Sequence, residues 1–358
     1  MQEVVIIGAG ITGLTLAWRL QQQGQRVLIV EARDRIGGRV RSIPATSGSG
    51  FVELGPTWFG DQHEKLLQLL QELEVDYFPQ HEKGKGIFQI MSFAPPQIYD
   101  IPQGQAPYYR LHPNTLALPE ALYERLAPGT VRLRTGIARL ERAPDHIRLF
   151  TAAQEILTAR RVVSTIPLPL FQHALTILPE LDQPLQERLA TTQTWMSDSI
   201  KFAVEYQRPF WRDMGYAGQM VSQNGLIKEM HDHCDRALTS FVLMGFLHHQ
   251  GLLMPYKERR AQVVSELSRI FGPVAAQPLH YFDKNWTTDP LTSEPQVQPM
   301  TFKPDYGHES LRVPLWDGRL WLAASETSDR FGGYMEGSVH RAEQIAGILS
   351  RSDHTGND

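Results

Sequence analysis

The N-terminal segment of the chain combines a buried-type strand, a glycine-rich turn and a helix in immediate succession. Residues 4–7 are an unbroken run of β-branched residues, which is typical of a central parallel strand. Residues 8–13 form the glycine-rich turn, and a helix is predicted from Leu14 to Gln23. A second buried strand from Arg26 to Glu31 completes a β-α-β unit. This unit predicts an α/β fold built on a parallel sheet.

The turn has the pattern Gly-x-Gly-x-x-Gly, and glycine is needed at each position for a different physical reason. Gly8 allows a tight turn after the strand, Gly10 lets the backbone approach a pyrophosphate, and Gly13 lets helix and strand pack closely. The helix N-terminus offers free N–H groups to phosphate oxygens. Glu31 ends the second strand, where an acid accepts ribose hydroxyls and would repel the 2′-phosphate of NADP. The segment therefore predicts a dinucleotide site.

A second glycine pair follows a few residues after this acid. Gly37 and Gly38 can fold a loop back over the pyrophosphate, and Arg39 can neutralise the phosphate charge. Folds that bind NAD have no need for such an element. The pair therefore favours FAD as the cofactor.

Composition excludes several classes of function. The net charge of -4 and the pI of about 6.4 argue against nucleic-acid binding, which normally requires a basic surface. Cys234 is the only cysteine, so a disulfide within the chain is impossible and a reducing compartment is expected. The N-terminus lacks the pattern of a secretion signal, and the longest near-apolar stretch, Ala237 to Leu247, is too short for a membrane helix. We expect a soluble cytoplasmic protein without a transmembrane segment.

Periodicity predicts further elements along the chain. Alternating or buried-type patterns predict strands within Val131–Leu149, Arg161–Ile166, Ser199–Tyr206, Ser240–Phe246 and Arg319–Ala324. Helices are predicted over Asp61–Leu73, Ala261–Phe271 and Ser338–Leu349. The proline-rich stretch Phe93–Pro119 is predicted to be mostly loop, and the polar tail at residues 351–358 is predicted to be disordered.

Six further blocks, together with Gly8–Gly13 and Glu31–Arg39, carry a resemblance to a known family. They are Glu53–Trp58, Val163–Pro167, Ile200–Phe202 with Arg208–Trp211, Lys284–Trp286, Glu326–Thr327 and Gly333–Ser338. In this order the blocks resemble those of the flavin-containing amine oxidases, which include monoamine oxidases, polyamine oxidases and L-amino-acid oxidases. The last block is the most specific, because several unusual residues agree in order and spacing.

The resemblance implies a fold and a domain organisation. The expected fold is α/β, with a Rossmann-like FAD-binding domain of the two-dinucleotide-binding type and an inserted α+β substrate domain. The FAD-binding domain would comprise residues 1–75, 125–170 and 310–350. The substrate-binding domain would comprise residues 76–124 and 171–309.

The resemblance also implies site residues. The catalytic candidates are Lys201, Trp286 and Tyr334; in the family this lysine reaches the flavin N5 through a water. The strand pattern alone favours a solvent-facing lysine at 201, so the inward placement rests on the resemblance. The implied cofactor-binding residues are Gly8, Gly10, Ile11, Thr12, Gly13, Glu31, Ala32, Arg33, Gly38, Arg39, Gly55, Pro56, Thr57, Trp58, Val131, Thr165, Pro167, Trp286, Glu326, Tyr334 and Met335.

The implied reaction is the oxidation of a small-molecule amine to an imine, with O2 reduced to hydrogen peroxide. The interval Thr287–Ala323 contains no cysteine, although the family's covalent enzymes attach FAD there, so noncovalent FAD is expected. A second aromatic cage residue beside Tyr334 cannot be assigned: Met300, Thr301 and Phe302 lie nearby in the sequence, and Tyr306 lies further on.

Two other kinds of function remain open at this point. One is a related flavoenzyme with a non-amine substrate: a desaturase, a protoporphyrinogen-type oxidase or a renalase-like NAD(P)H oxidase. The other is a non-catalytic FAD-binding module, since a fold does not determine function.

The cluster His231–Asp235 has no second ligand pair at a useful spacing, so no metal is expected.

Overall fold

The computed structural model describes residues 1–91, 95–102, 104, 106–294 and 305–354. Its strands are β1 (Gln2–Ile7), β2 (Val27–Val30), β3 (Ser42–Pro44), β4 (Phe51–Glu53), β5 (Phe59–Gly60), β6 (Tyr77–Pro79), β7 (Lys85–Gln89), β8 (Gln97–Asp100), β9 (Tyr108–Leu111), β10 (Val131–Arg132), β11 (Ile137–Arg142), β12 (Ile147–Thr151), β13 (Ile156–Ser164), β14 (Thr176–Leu178), β15 (Ile200–Tyr206), β16 (Tyr216–Ser222), β17 (Ile227–Asp232), β18 (Phe241–Leu247), β19 (His280–Asn285) and β20 (Leu320–Leu322). Its α-helices are α1 (Ile11–Gln22), α2 (Glu64–Glu72), α3 (Ala117–Glu124), α4 (Leu168–Ala174), α5 (Gln183–Thr191), α6 (Phe210–Asp213), α7 (Tyr256–Phe271) and α8 (Met335–His354).

The first sheet has the order β10-β2-β1-β13-β12-β11-β14, and β20 pairs with the end of β13. Strands β10, β2, β1, β13 and β20 run parallel to one another, whereas β12 is antiparallel to both its neighbours. Strand β1 therefore lies between β2, which follows it in sequence, and β13, which comes from the middle of the chain; β20 comes from near the end of the chain. This confirms the predicted α/β fold with a Rossmann-like parallel sheet.

Helices cover both faces of this sheet. Helices α1, α2, α3 and α8 contribute to a core that also contains Val4 and Ile6 of β1. Helices α4 and α5 pack on the opposite face, in a core that contains Val5 and Ile7. Alternate residues of β1 thus point to opposite faces, and both faces are buried, as the unbroken apolar run predicts.

The second large sheet has the order β19-β15-β18-β17-β16-β7-β8. Its central strand β15 is antiparallel to both β18 and β19, and helices α6 and α7 pack against the sheet. In this register Lys201 lies opposite Phe246 on one side and Lys284 on the other. Cross-strand partners share a face, so these side chains project from the same side of the sheet.

Two sequence-based predictions of secondary structure were wrong in part. The stretch predicted as loop contains β8, β9 and the first turn of α3, where Pro119 is tolerated because that turn needs no N–H donor from it. Leu118 and Leu122 of α3 are fully buried in the core around α1, and the resemblance assigns residues 76–124, which include α3, to the substrate-binding domain. Helix α8 begins at Met335 and continues to His354; residues 355–358 of the predicted tail lie outside the described residues.

Within the part of the chain that the structure describes, no helix combines the length and the apolar character needed to cross a bilayer.

Candidate active site

A cavity of about 1800 Å³ extends from the turn between β1 and α1 to the inner face of the second sheet. This volume exceeds the roughly 300–1,000 Å³ of a pocket for one drug-sized ligand, so it has room for a dinucleotide and a small molecule. Most predicted cofactor-binding residues line it: Gly8, Gly10, Ile11, Thr12, Glu31, Ala32, Arg33, Gly38, Arg39, Gly55, Pro56, Thr57, Trp58, Thr165, Pro167, Trp286, Tyr334 and Met335.

The glycine-rich turn has the geometry of a phosphate cradle. A Cβ atom at Gly13 would lie 2.0 Å from the carbonyl oxygen of Gly8, so helix and strand can approach only without a side chain. A Cβ atom at Gly10 would meet nothing within 4 Å and would instead occupy the cavity. The Gly37 N–H donates to the Ala9 carbonyl at 2.8 Å, which folds the second glycine loop back onto the first. These residues fit a bound pyrophosphate.

Glu31 is fixed at the end of β2 with its carboxylate on the cavity wall. Its Oε2 accepts the Ala9 N–H and its Oε1 accepts the Arg33 N–H, each at 2.8 Å. A carboxylate has about four acceptor positions, so the remaining ones are available to ribose hydroxyls. The acid therefore fits the role expected from its spacing.

Arg39 lines the cavity, and Glu326 lies behind it. Arg39 Nη1 donates to Glu326 Oε1 at 2.6 Å, and Nη2 donates to Ser325 Oγ at 2.7 Å. Glu326 Oε1 also accepts the Trp195 N–H at 3.0 Å. Burial alone would raise the pKa of Glu326, but the charge of Arg39 and the hydrogen bonds lower it below its ordinary value. Glu326, implied by the resemblance to bind the cofactor, does not line the cavity and instead supports Arg39 and Trp195.

Val131 and Gly13 also lie off the cavity wall. Val131 pairs with Ile29 in the first sheet, and the wall beside it is formed by residues 134–138. Val131, implied by the resemblance to bind the cofactor, therefore does not line the cavity, because the turn after β10 faces the cavity and the strand does not.

Lys201 projects from β15 into the cavity wall and is only 2% exposed. Its Nζ donates to the Gly55 carbonyl at 2.6 Å and to Thr57 Oγ1. The same Nζ lies 5.1 Å from the centre of the Trp58 ring, within the range of a cation–π contact. Burial lowers the pKa of Lys201 to about 7. The structure thus places this lysine inward, against the pattern of the strand alone.

A buried carboxylate, Glu53, lies beneath this lysine. It accepts hydrogen bonds from Ser42 Oγ at 2.6 Å and from the Thr115 N–H at 2.8 Å. Burial raises the pKa of Glu53, and the nearby charge of Lys201 opposes that rise. The negative charge of Glu53 favours the ammonium form of Lys201 in return.

Trp286 lies beside the same part of the cavity and is 6% exposed. Its indole Nε1 donates to the Leu54 carbonyl at 2.8 Å, next to the Gly55 backbone that Lys201 contacts. Lys284 Nζ lies 5.0 Å from the centre of its ring. The tryptophan and lysine predicted from separate blocks are therefore brought together.

Tyr334 belongs to an aromatic wall whose other members, Trp195 and Tyr306, could not be assigned from the sequence. The Trp195 ring stacks on Tyr334 with centroids 5.2 Å apart and planes 31° apart, and Tyr306 meets Trp195 edge-on at 6.4 Å. A Cβ atom at Gly333, where φ is +84°, would lie 2.6 Å from Trp195 Cβ, so only glycine permits this approach. Met300, Thr301 and Phe302, the other candidates, lie outside the described residues.

The cluster His231–Asp235 makes separate pairings. Asp232 accepts from the Trp211 indole and from Arg212 at 2.7 Å, and His233 Nδ1 lies 2.6 Å from Arg110 Nη1. Among the described residues, no three His, Cys, Asp or Glu side chains form a group that could hold a metal ion. The cluster is therefore part of the packing between strands.

The Rossmann-like sheet and the glycine turn on the cavity wall are typical of proteins that bind a dinucleotide cofactor, and the cavity continues past this turn to the buried Lys201.

Comparisons with known proteins give the family. The model of the family described as flavin containing amine oxidoreductase matches residues 11–90 and 82–349, and the chain belongs to this family. It is 26% identical to a Mycobacterium tuberculosis protein named as a flavin-containing monoamine oxidase, AofH, over 96% of this chain and 95% of that protein. It is 23% identical to amine oxidase [flavin-containing] B of Sus scrofa, over 96% and 85%.

Solved structures of amine oxidases share the fold. Cyclohexylamine oxidase from Brevibacterium oxydans IH-35A superposes with a TM-score of 0.87 at 20% identity, covering 99% of each chain. Putrescine oxidase bound to putrescine superposes with a TM-score of 0.83 at 18% identity, covering 97% of this chain and 98% of that one. The chain is thus a flavin-dependent oxidoreductase of the amine oxidase type.

Proposed function

We propose that the protein oxidises a primary or secondary amine to an imine and passes the electrons to O2, giving hydrogen peroxide. The observation that carries this proposal is Lys201, a buried lysine on the cavity wall held by Gly55 and Thr57. Bound FAD would supply the acceptor for the hydrogen that leaves the carbon next to the amine nitrogen. The protein's own contribution is to orient the amine, exclude bulk water and place a charge.

In its ammonium form, which prevails below the pKa of about 7, Lys201 has one hydrogen beyond those that its two protein partners accept. An ammonium carries three donors, and Gly55 and Thr57 accept two of them. The third is free to hold a water above the flavin, which agrees with the role that the resemblance implies. Its positive charge, in a site of low polarity, would stabilise the negative charge that develops on oxygen during reduction.

The aromatic wall determines where the amine lies. Flat contact on both sides of an alkyl group requires ring planes about 7–8 Å apart, since each carbon contact is 3.5–4.0 Å long. Trp195 and Tyr334 are 5.2 Å apart, so a substrate cannot enter between them. We expect the amine to contact the outer face of this pair.

The same stacking supports one alternative substrate class. A site with a single aromatic wall lacks the two-sided clamp expected for an amine, which favours a non-amine donor such as NAD(P)H as the second candidate. The proposed domain division is an FAD-binding domain of residues 1–75, 125–170 and 310–350 and a substrate-binding domain of residues 76–124 and 171–309, with α3 of the latter packed against the former.

The flavin is held noncovalently in this proposal. Cys234, the only cysteine, is buried with its Sγ 3.5 Å from Asp232 Oδ2 and is not among the cavity-lining residues. Acid precipitation of the yellow protein should leave intact FAD in the supernatant. Flavin that stays with the precipitated chain would contradict this part of the proposal.

The reaction is tested by mixing the purified protein anaerobically with a panel of amines and, separately, with NADH. Bleaching of the flavin by an amine, followed by peroxide release when O2 is admitted, is the expected result. Bleaching by NADH and by no amine would establish the second candidate. A flavin that no donor reduces would indicate a binding module without turnover.

A further inference from the structure

Residues 286–293, here called the strap, follow β19 and lie along the cavity wall. Trp286, Pro290, Leu291 and Thr292 of the strap line the cavity together with Arg33. The strap therefore reaches from the part of the cavity beside Lys201 to the part beside the ribose acid Glu31.

The strap is attached at both ends. At its start, the Trp286 indole donates to the Leu54 carbonyl at 2.8 Å. At its end, Ser293 Oγ donates to the Ser197 carbonyl at 3.2 Å. These two hydrogen bonds lie at the ends of the strap, and other contacts hold its middle.

Asp289 holds the middle of the strap. Its Oδ1 accepts Arg33 Nη2 at 2.7 Å and its Oδ2 accepts Lys284 Nζ at 2.8 Å. Arg33 Nη2 also donates to Thr292 Oγ1 at 3.0 Å, so one guanidinium contacts the strap twice. Burial alone would raise the pKa of Asp289, but the bonds to Arg33 and Lys284 lower it to about 2, so it stays ionised.

Arg33 is itself fixed to the nucleotide site. Its N–H donates to Glu31 Oε1 at 2.8 Å, and it follows the ribose acid by two residues. The Arg33–Asp289 pair therefore fastens the strap to the carboxylate expected to bind the adenosine ribose. On either side of the pair, Arg33 of the nucleotide site and Thr292 of the strap both line the cavity.

We propose that Asp289 is a positioning residue that retains the flavin nucleotide by fastening the strap across the adenosine end of the cavity. This inference rests on the noncovalent binding of FAD proposed above. Without a covalent bond, FAD leaves only when the wall opens, and opening here requires separating a buried carboxylate from two cations. The pair therefore slows release and contributes nothing to the oxidation step.

The test is the dissociation rate of FAD, measured by fluorescence of released flavin after holoprotein is mixed with excess flavin-binding scavenger. Asp289→Asn should release FAD at least about tenfold faster, since it replaces charge-assisted hydrogen bonds with neutral ones. The matched control is Asp317→Asn, an exposed acid paired with Arg142 outside the cavity wall, which should leave the rate unchanged.

Arg33→Gln and the double variant separate this role from general destabilisation. If the Arg33–Asp289 pair holds the strap in place, Arg33→Gln also speeds FAD release. The double variant then releases FAD no faster than the quicker of the two single variants. Unchanged or slower release in Asp289→Asn, equal acceleration in the control, or additive effects in the double variant would overturn the proposal. If Asp289→Asn does not fold, the FAD dissociation rate of Arg33→Gln, together with the Tm of its apoprotein, decides whether the pair retains FAD. Failure of wild type to release FAD even in acid would instead refute the noncovalent premise, independently of amine turnover.

Discussion

Lys201→Met removes the ammonium from the cavity while keeping most of the length and the apolar stem of the side chain. The Gly55 carbonyl and Thr57 Oγ1 lose their donor, and the third donor of the ammonium, which we propose holds a water, is lost as well. Lys201 does not contact the glycine turn or the Gly37 loop, so the variant should retain FAD. Loss of one preorganised donor typically costs ~10²–10³ in rate, about 2.7–4 kcal/mol. Turnover should fall by that factor.

The same variant has a signature in the pH dependence of stability. Burial lowers the pKa of Lys201 from 10.5 to about 7, so between these values the unfolded chain binds a proton that the folded chain has lost. The free energy of unfolding of the apoprotein should therefore rise as pH increases from about 7 to about 10.5. Lys201→Met should remove this rise, and denaturant titrations at several pH values measure it.

Stopped-flow spectroscopy of flavin reduction and of reoxidation by O2 tests the rate prediction, with whichever donor bleaches the flavin. Lys65→Met is the matched control, because Lys65 is a partly exposed lysine paired with Glu343 at 3.1 Å outside the cavity wall. Wild-type rates for both half-reactions in Lys201→Met would show that this lysine is structural. The proposed mechanism would then lose its main residue-level support.

Three further variants test other parts of the site. Glu31→Ala should raise the Kd for FAD about tenfold or more, because charge-assisted bonds to ribose are lost; an unchanged Kd in titrations of the apoprotein would contradict this. Asp232→Asn should lower the free energy of unfolding by about 3–5 kcal/mol, since it removes a fully buried anion and leaves Arg212, which is 20% exposed, without its partner; equal denaturation midpoints would show the pair to be dispensable. Trp195→Ala should raise the KM for the amine up to about tenfold through loss of its stacking on Tyr334, with kcat less affected, and steady-state kinetics at saturating FAD would detect any other pattern.

The parallel sheet and its nucleotide turn could be predicted from the sequence because neighbouring residues determine both structures. The apolar run at residues 4–7 requires burial on both faces, and the glycines at 8, 10 and 13 permit close approaches within a few residues. Helix α3 was missed because prolines near it suggest a loop, and its helical state depends on the burial of Leu118 and Leu122 against α1.

The contacts that organise the site join residues far apart in sequence, and no local pattern reveals them. The Arg39–Glu326 pair spans 287 positions and the Arg33–Asp289 pair spans 256. Trp195 lies in a loop with no periodic signal. The one related feature elsewhere in the sequence is Gly333, because a side chain there would collide with Trp195.

Glu326 gives the two halves of the cavity a shared contact. The same carboxylate holds Arg39, on the wall of the proposed phosphate site, and the backbone N–H of Trp195, in the proposed substrate wall. A ligand that shifts Arg39 or Trp195 also disturbs the contact of Glu326 with the other residue, and so changes the binding free energy at the other end of the cavity. Thermodynamic linkage makes this effect mutual. Whatever factor an amine brings to the affinity for FAD, FAD brings the same factor to the affinity for the amine. Affinities for substrate analogues measured on apoprotein and holoprotein therefore report the strength of this heterotropic coupling directly.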